Sequence, residues 1–496
     1  MADVAADRET TVVNAPCGEV VGRFKDDALL FAGVPYAQPP VGALRFKAPQ
    51  PLPAFAEPFG AFRFGAAAPQ VATGGMTDSA PVRSSEDCLT LNVSTPACDD
   101  GGRAVLVWIH GGGYRTGQSS IPWYAGGRFA SQGDIVVVSI NYRLGALGFT
   151  DLSHLGEEFA DSGVNGLKDQ IAALQWVQDN IAAFGGDPAR VTIAGESAGG
   201  FSVSTLLGCP AAQGLFHQVI GQSGAAHHTL PPEAGRQVAD TFLSHLQASD
   251  VEAIQTASVE AILAAQTASI KDLEKGPGLT NNLGTTVAPF YPVHGTPLLP
   301  LSPLEAIRQG TGRSVALLTG SNSHETTLWG FGEVDAAKLS RLAVSVGAAD
   351  TLEAYQQALP DANPEALLVA LTSDHMFRIP AIRLAEIRAG QDAQTWMYLF
   401  DWRSRIEGFG ATHALEIPFT FDNLHKAGVK LFIGPGETPQ HVADVMHQAW
   451  CAFINHGDPG WARYETTTRQ TMVFNDVSAV AEDPQGTLRA AWEGLR

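Results

Sequence analysis

Ser197 is the residue in this chain best placed to act as a nucleophile. It stands at the centre of Gly195-Glu196-Ser197-Ala198-Gly199, after the apolar, β-branched run Val191–Ala194 and before small residues with helical promise. A Gly-x-Ser-x-Gly segment between a strand and a helix is a nucleophile elbow, a sharp turn that holds the serine in a strained backbone at the corner. Side chains at 195 and 199 would collide with the neighbouring strand and helix, so the glycines are required. The same corner puts the Ala198 N–H at a helix N-terminus, where a developing oxyanion would be stabilised. Glycine supplies 52 of the 496 residues, so the bare pattern is weak evidence. The flanking elements and the partners elsewhere in the chain give it weight.

His110-Gly111-Gly112-Gly113-Tyr114 follows the hydrophobic segment 104–110. Backbone without side chains can approach a substrate carbonyl closely, so Gly112 and Gly113 are expected to join Ala198 as oxyanion donors. A phosphate loop would need GxxxxGK[ST], or GxGxxG opening a helix, and neither is present. A serine at a strand–helix elbow requires an acid and then a histidine later in the chain. His413, in the glycine-containing segment FGATHALEIPF just after the strand-like 396–402, fits the general base best. His425, His441, His447 and His456 also come late but sit in helix-like or polar surroundings. Glu325, after the strand-like 314–320, is the expected orienting acid, with Asp374 the alternative; it would fix the histidine tautomer and stabilise the imidazolium. Glu196 is either an exposed elbow residue or a second carboxylate raising the basicity of the histidine. His110 is expected to brace the glycine loop. Ser223 is either core or a hydrogen-bond partner of Glu196 or Glu325.

The elements that must position these groups alternate. Segments 89–96, 104–110, 134–140, 217–224, 314–320, 396–402 and 471–474 read as strands, several buried on both faces. Residues 165–187 place Leu167, Ile171, Leu174, Val177 and Ile181 at helical spacing and end at Gly185-Gly186. Strand, helix, strand at this spacing predicts an α/β fold with a large, mostly parallel sheet and right-handed crossovers. Residues 11–33 predict a small antiparallel hairpin and 34–46 a proline-rich extended wrap. Helical stretches at about 230–275 and 335–390 break the alternation and read as insertions packed over the site. With no repeat and no long linker, residues 1–496 read as one domain.

A net charge of −20, from 31 basic against 51 acidic residues, argues against nucleic acid and anionic membrane surfaces as partners. Five scattered cysteines without a CxxC pair argue against a disulfide framework or a zinc site. The N-terminal sequence has no apolar leader-like stretch, and no run of eighteen apolar residues occurs, so a cytoplasmic protein is expected. The length and charge leave monomer and homodimer both open.

With these residues in hand, the chain resembles the type-B carboxylesterases, the α/β-hydrolase family that includes bacterial p-nitrobenzyl esterases and the cholinesterases. The motifs are FAGVPYAQPPVGALRF (31–46), SEDCLTLNV (85–93), WIHGGGY (108–114), NYRLGALGF (141–149), FGGDPARVTIAGESAGG (184–200), SHET (323–326) and HALEIPFTF (413–421). They run in the family's order along nearly the whole chain. The resemblance implies a Ser197, Glu325, His413 triad, oxyanion donors at Gly112, Gly113 and Ala198, and buried ion pairs Arg45–Glu86 and Arg143–Asp169. It implies hydrolysis of small hydrophobic or aromatic esters through an acyl-enzyme, with no metal or cofactor. The alternatives are a carbamate or amide hydrolase using the same triad, and a non-catalytic adhesion member of the fold. Two positions depart from the family pattern. Ala68 stands where secreted eukaryotic relatives pair a cysteine with the one in SEDCL, so Cys88 is expected to be a free thiol. His294 stands where relatives often carry an acid. Tyr114, Trp329, Phe331 and Phe409 neighbour the motifs and either line an apolar cleft or pack in the core.

Overall fold

The computed structural model describes residues 10–71, 83–275, 279–280 and 286–495. The first nine residues, part of the segment expected to lack a leader, lie outside the described residues. Fifteen strands are described: β1 (Thr10–Ala15), β2 (Gly18–Lys25), β3 (Ala28–Pro35), β4 (Phe59–Gly60), β5 (Thr90–Thr95), β6 (Arg103–Ile109), β7 (Val136–Ile140), β8 (Gly186–Glu196), β9 (Gln218–Gln222), β10 (Leu279–Thr280), β11 (Thr286–Val287), β12 (Ala316–Asn322), β13 (Thr395–Phe400), β14 (Gln470–Phe474) and β15 (Ala479–Glu482). Apart from the β10–β11 ribbon, they form one sheet in the order β1-β2-β3-β5-β7-β6-β8-β9-β12-β13-β14-β15, with β4 beside β2. From β7 to β14 every neighbouring pair is parallel; the pairs at the two ends, β1 through β7 and β14–β15, are antiparallel. This is the α/β-hydrolase architecture expected from the sequence. The expected hairpin is a three-stranded meander, because the turn at Asp26-Asp27, both at positive φ, starts a third strand. The antiparallel β15 carried no sequence signal, since its exposed AVAE alternates too weakly.

The central strands are apolar on both sides because both faces are covered. Val105, Val107, Ile109, Val191 and Ile193 pack on the face holding helix Asn165–Asn180 and helix Ala198–Leu207. Ala104, Leu106, Trp108 and Ala194 point the other way, onto helix Gln440–His456 through Met446, Trp450 and Phe453. The two expected insertions are helical. The first holds helices Pro232–Leu246, Val251–Thr256 and Val259–Glu274, and the second runs through Ala336–Ser345, Leu352–Ala358, Pro364–Ser373 and Ile379–Ala389. The second builds a separate apolar cluster with Met397 and Trp492.

Both expected ion pairs form. Arg45 grips Glu86 with two bonds of 2.7 Å and also donates to the carbonyls of Gln255 and Ala257, fastening the first insertion. Arg143 grips Asp169 at 2.6 and 2.8 Å in full burial and donates to Lys47 O, pinning the proline-rich wrap. Cys88 is buried and unpaired, and burial pushes its thiol pKa well up.

Candidate active site

Ser197 directly follows β8 and stands at the N-cap position of helix Ala198–Leu207 with φ 56° and ψ −122°, a conformation a non-glycine residue holds only when its surroundings impose it. Its own N–H donates to Gln222 O at the end of the adjacent β9, and its carbonyl accepts from Phe201 N–H. The elbow glycines have no room for a side chain. A Cβ on Gly199 would sit 2.0 Å from Ile109 O, and one on Gly195 would sit 2.5 Å from the Gly199 carbonyl carbon. Ser197 is itself partly exposed.

The glycine loop leaves β6 beside this corner. A Cβ on Gly111 would lie 2.7 Å from Glu196 O and 3.0 Å from Ser197 Cβ, so loop and elbow are in direct contact. Gly112 and Gly113 both hold positive φ, 108° and 60°. Gly112 O accepts from the N–H groups of Arg115 and Thr116, which closes the loop as a tight turn. Among the described residues the N–H groups of Gly112, Gly113 and Ala198 donate to no protein acceptor. His110 is buried, lies with Nδ1 2.8 Å from Gly111 O and stacks on Tyr142, whose hydroxyl donates to His110 O. Burial pushes His110 down to about 4, so it is neutral at ordinary pH.

His413 and Glu325 meet although 88 positions separate them. His413 Nδ1 lies 2.6 Å from Glu325 Oε2, and His413 N–H donates to Glu325 O. Glu325 opens the short helical turn Glu325–Leu328 after β12, and its other oxygen accepts from Asn322 N–H at 2.8 Å. Asp374, the alternative acid, is elsewhere: it pairs with Arg378 and Tyr355. The second imidazole nitrogen, Nε2, faces Glu196 Oε1 at 3.0 Å without hydrogen-bond alignment, and among the described residues Ser197 Oγ makes no hydrogen bond. Glu196 is therefore a buried carboxylate under the site. Among the described residues Ser223 Oγ is buried with no hydrogen-bond partner and so bonds neither Glu196 nor Glu325; its N–H donates to Gly320 O.

A third carboxylate, Glu416, lies three residues beyond His413. It accepts from Asn322 Nδ2 at 2.6 Å and from Gln222 Nε2 at 3.3 Å. Sequence reasoning missed it; the signal was its place in HALEIPF, one turn from the histidine. Burial raises Glu196 to about 8 and Glu416 to about 7. Burial alone would lower His413, but the carboxylates of Glu196 and Glu325 outweigh it and hold the imidazole up to about 9.

Aromatic rings cover the imidazole. Phe377 lies 4.8 Å from the His413 ring and Trp329 5.0 Å; Phe201 lies 6.2 Å from Phe377 and stacks on His228. Of the four aromatics beside the motifs, Trp329 alone packs against the His413 ring. Tyr114 is core, Phe409 packs on Phe432, and Phe331 joins the cluster of the second insertion.

The sequence profile of the carboxylesterase family matches residues 9–487. The chain belongs to that family. This carboxylesterase is 34% identical to the para-nitrobenzyl esterase of Bacillus subtilis (strain 168), over 96% of its own length and 97% of the relative's. It is 35% identical to the phenmedipham hydrolase of Pseudarthrobacter oxydans, covering 95% and 97%. Its structure superposes on a Geobacillus stearothermophilus carboxylesterase with a TM-score of 0.86 at 35% identity, covering 97% and 100% of the two chains. It is a carboxylic ester hydrolase of the serine type.

Proposed function

We propose that Ser197, Glu325 and His413 form the catalytic triad and that Gly112, Gly113 and Ala198 supply the oxyanion hole. The reading is carried by one observation: the buried His413 is held on Nδ1 by Glu325, and its Nε2 lies 3.0 Å from Glu196 Oε1, the residue next to Ser197 in the elbow. In the resting geometry Nε2 faces Glu196; catalytic hydrogen bonds are often long or misaligned until substrate binds. With an ester bound, His413 Nε2 takes the Ser197 proton as Oγ attacks the carbonyl carbon. The oxyanion rests on the three N–H groups, and His413 gives its proton to the departing alcohol. Water then attacks the acyl-enzyme by the same sequence, releasing the acid and restoring Ser197. The aromatic cover on His413 supports small hydrophobic or aromatic esters as substrates. Residues 1–496 act as one catalytic domain in this reading, as monomer or homodimer, and the free thiols support a reducing, cytoplasmic setting.

A second reading extends the same triad to carbamates or amides. One relative is named for hydrolysis of phenmedipham and another for a nitrobenzyl ester, so substrate preference varies among chains this similar. Side-by-side kinetics on a matched ester, carbamate and anilide separate the two, with the ester expected fastest. The triad itself is tested by Ser197→Ala, expected to lower kcat on p-nitrophenyl acetate by about 10⁴-fold or more. An organophosphate should label wild type at Ser197, mapped by mass spectrometry. Full turnover by the variant, or an adduct elsewhere, overturns the assignment.

A further inference from the structure

The second helical insertion reaches the site at one place, and the helix there is irregular. Helix Pro364–Ser373 passes into a π-turn at Asp374–Arg378 before Ile379–Ala389 continues, with Ile379 N–H donating to Asp374 O. An α-helix advances about 100° per residue, so the extra residue of a π-turn re-aims the side chains on it. The side chain presented here is Phe377, whose ring centroid lies 4.8 Å from that of His413 and 6.2 Å, with parallel planes, from that of Trp329. Trp329 is itself 54% exposed while Phe377 is 2% exposed, so of the two rings Trp329 meets solvent and Phe377 lies buried between it and the inserted helix, against the imidazole.

The π-turn is held first by side chains of the insertion itself. Asp374 clamps Arg378 four residues on, at 2.5 and 2.7 Å, and accepts from the Tyr355 hydroxyl. All three side chains are buried. The clamp is closed by the C-terminal segment. Trp492 Nε1 donates to Tyr355 Oη at 2.9 Å, and Arg378 Nη1 donates to Pro484 O at 3.3 Å. The Trp492 carbonyl also accepts from Arg383 at 3.2 Å.

We propose that Phe377 sets which substrate groups fit beside His413, and that Asp374, Tyr355 and Trp492 are positioning residues that fix it through the π-turn. This deepens the reading of His413 as the general base and rests on it. A helix interrupted for packing alone has no need of an aromatic aimed at the imidazole. Nor would it need a buried ion pair spanning the interruption and locked by residues more than a hundred positions away.

The test is the ratio of kcat/KM on bulky esters to that on p-nitrophenyl acetate, using the full chain. p-Nitrophenyl pivalate enlarges the acyl side and 1-naphthyl acetate the alcohol side. Phe377→Ala is expected to raise at least one ratio about tenfold, the scale on which apolar pockets discriminate size. Trp492→Phe keeps the packing and deletes one donor, and should move the same ratio in the same direction by about two- to fivefold. In the double variant the ratio should equal that of Phe377→Ala alone, because Trp492 acts through Phe377. A Phe377→Ala enzyme whose ratios stay within about twofold of wild type overturns the proposal. A Trp492→Phe enzyme that melts earlier with unchanged ratios overturns its positioning half. Wild type that does not hydrolyse p-nitrophenyl acetate at all is a different failure, that of the esterase reading itself.

Discussion

At the scale of single residues, the site is a contest between burial and charge on one imidazole. His413 sees Glu325 on one nitrogen and Glu196 on the other, with Glu416 behind them. Each negative charge favours the imidazolium, and in the proposed mechanism His413 must be neutral to take the Ser197 proton. Activity should therefore rise with pH, half-maximal near about 9, above the ordinary histidine range, and level off only beyond it. Glu196→Gln removes the first-ranked charge raising His413. The imidazolium then loses a proton more easily, so the acid limb of kcat/KM should move to lower pH by roughly one unit. A pH–rate profile that does not move would show that Glu196 is uncoupled from the base. Replacing Glu416 by Gln should act in the same direction and more weakly, as its charge is the last-ranked contribution.

At the scale of elements, the turn from β8 into its helix leaves no room for side chains at its glycines. The elbow glycines abut backbone atoms that cannot move aside: both meet Ile109 O, which belongs to β6, paired on both edges, and Gly199 also meets the Ile109 and His110 carbonyl carbons. Gly199→Ala should therefore cost stability, by roughly 3 kcal/mol or more, and activity together, since relief is possible only by moving the corner that holds Ser197. Urea unfolding of the variant against wild type measures the first and p-nitrophenyl acetate turnover the second. An unaltered midpoint would mean the helix can slide away from β6. Arg143 gives a contrasting element-level case. Its pair with Asp169 joins the end of β7 to helix Asn165–Asn180 in full burial, so Arg143→Met should destabilise by about 3–5 kcal/mol through the carboxylate left unpaired. It should not alter the pH profile of whatever enzyme remains folded.

At the scale of the whole molecule, twenty uncompensated negative charges repel one another across the surface. Folding concentrates them, and salt screens them over about 10 Å at 0.1 M. The urea midpoint should accordingly rise between about 10 mM and about 150 mM salt. Cationic esters should lose kcat/KM over the same range while neutral ones hold it, because attraction to the negative surface fades. A neutral and a cationic ester with identical salt dependence would show that the field does not reach the cleft.

Much of this protein was legible in its amino acids because local physics and covalent spacing fix it. The elbow needs Gly195 and Gly199 whatever surrounds them, the apolar runs at 104–110 and 134–140 can only be buried strands, and chain order singles out Glu325 and His413. Contacts between distant segments are a different matter, since no spacing rule links them. Only the folded chain decides that Glu196 faces His413 Nε2, that Glu416 adds a third carboxylate through Asn322 and Gln222, and that Ser223 stays out of the network. The same holds for Phe377, which no motif marks and which reaches the imidazole only because a π-turn in an inserted helix is fastened by the far end of the chain. Backbone geometry and binary pattern are short-range properties that a sequence carries on its face. The basicity and the walls of the site are sums over groups that meet only after the sheet has closed around them.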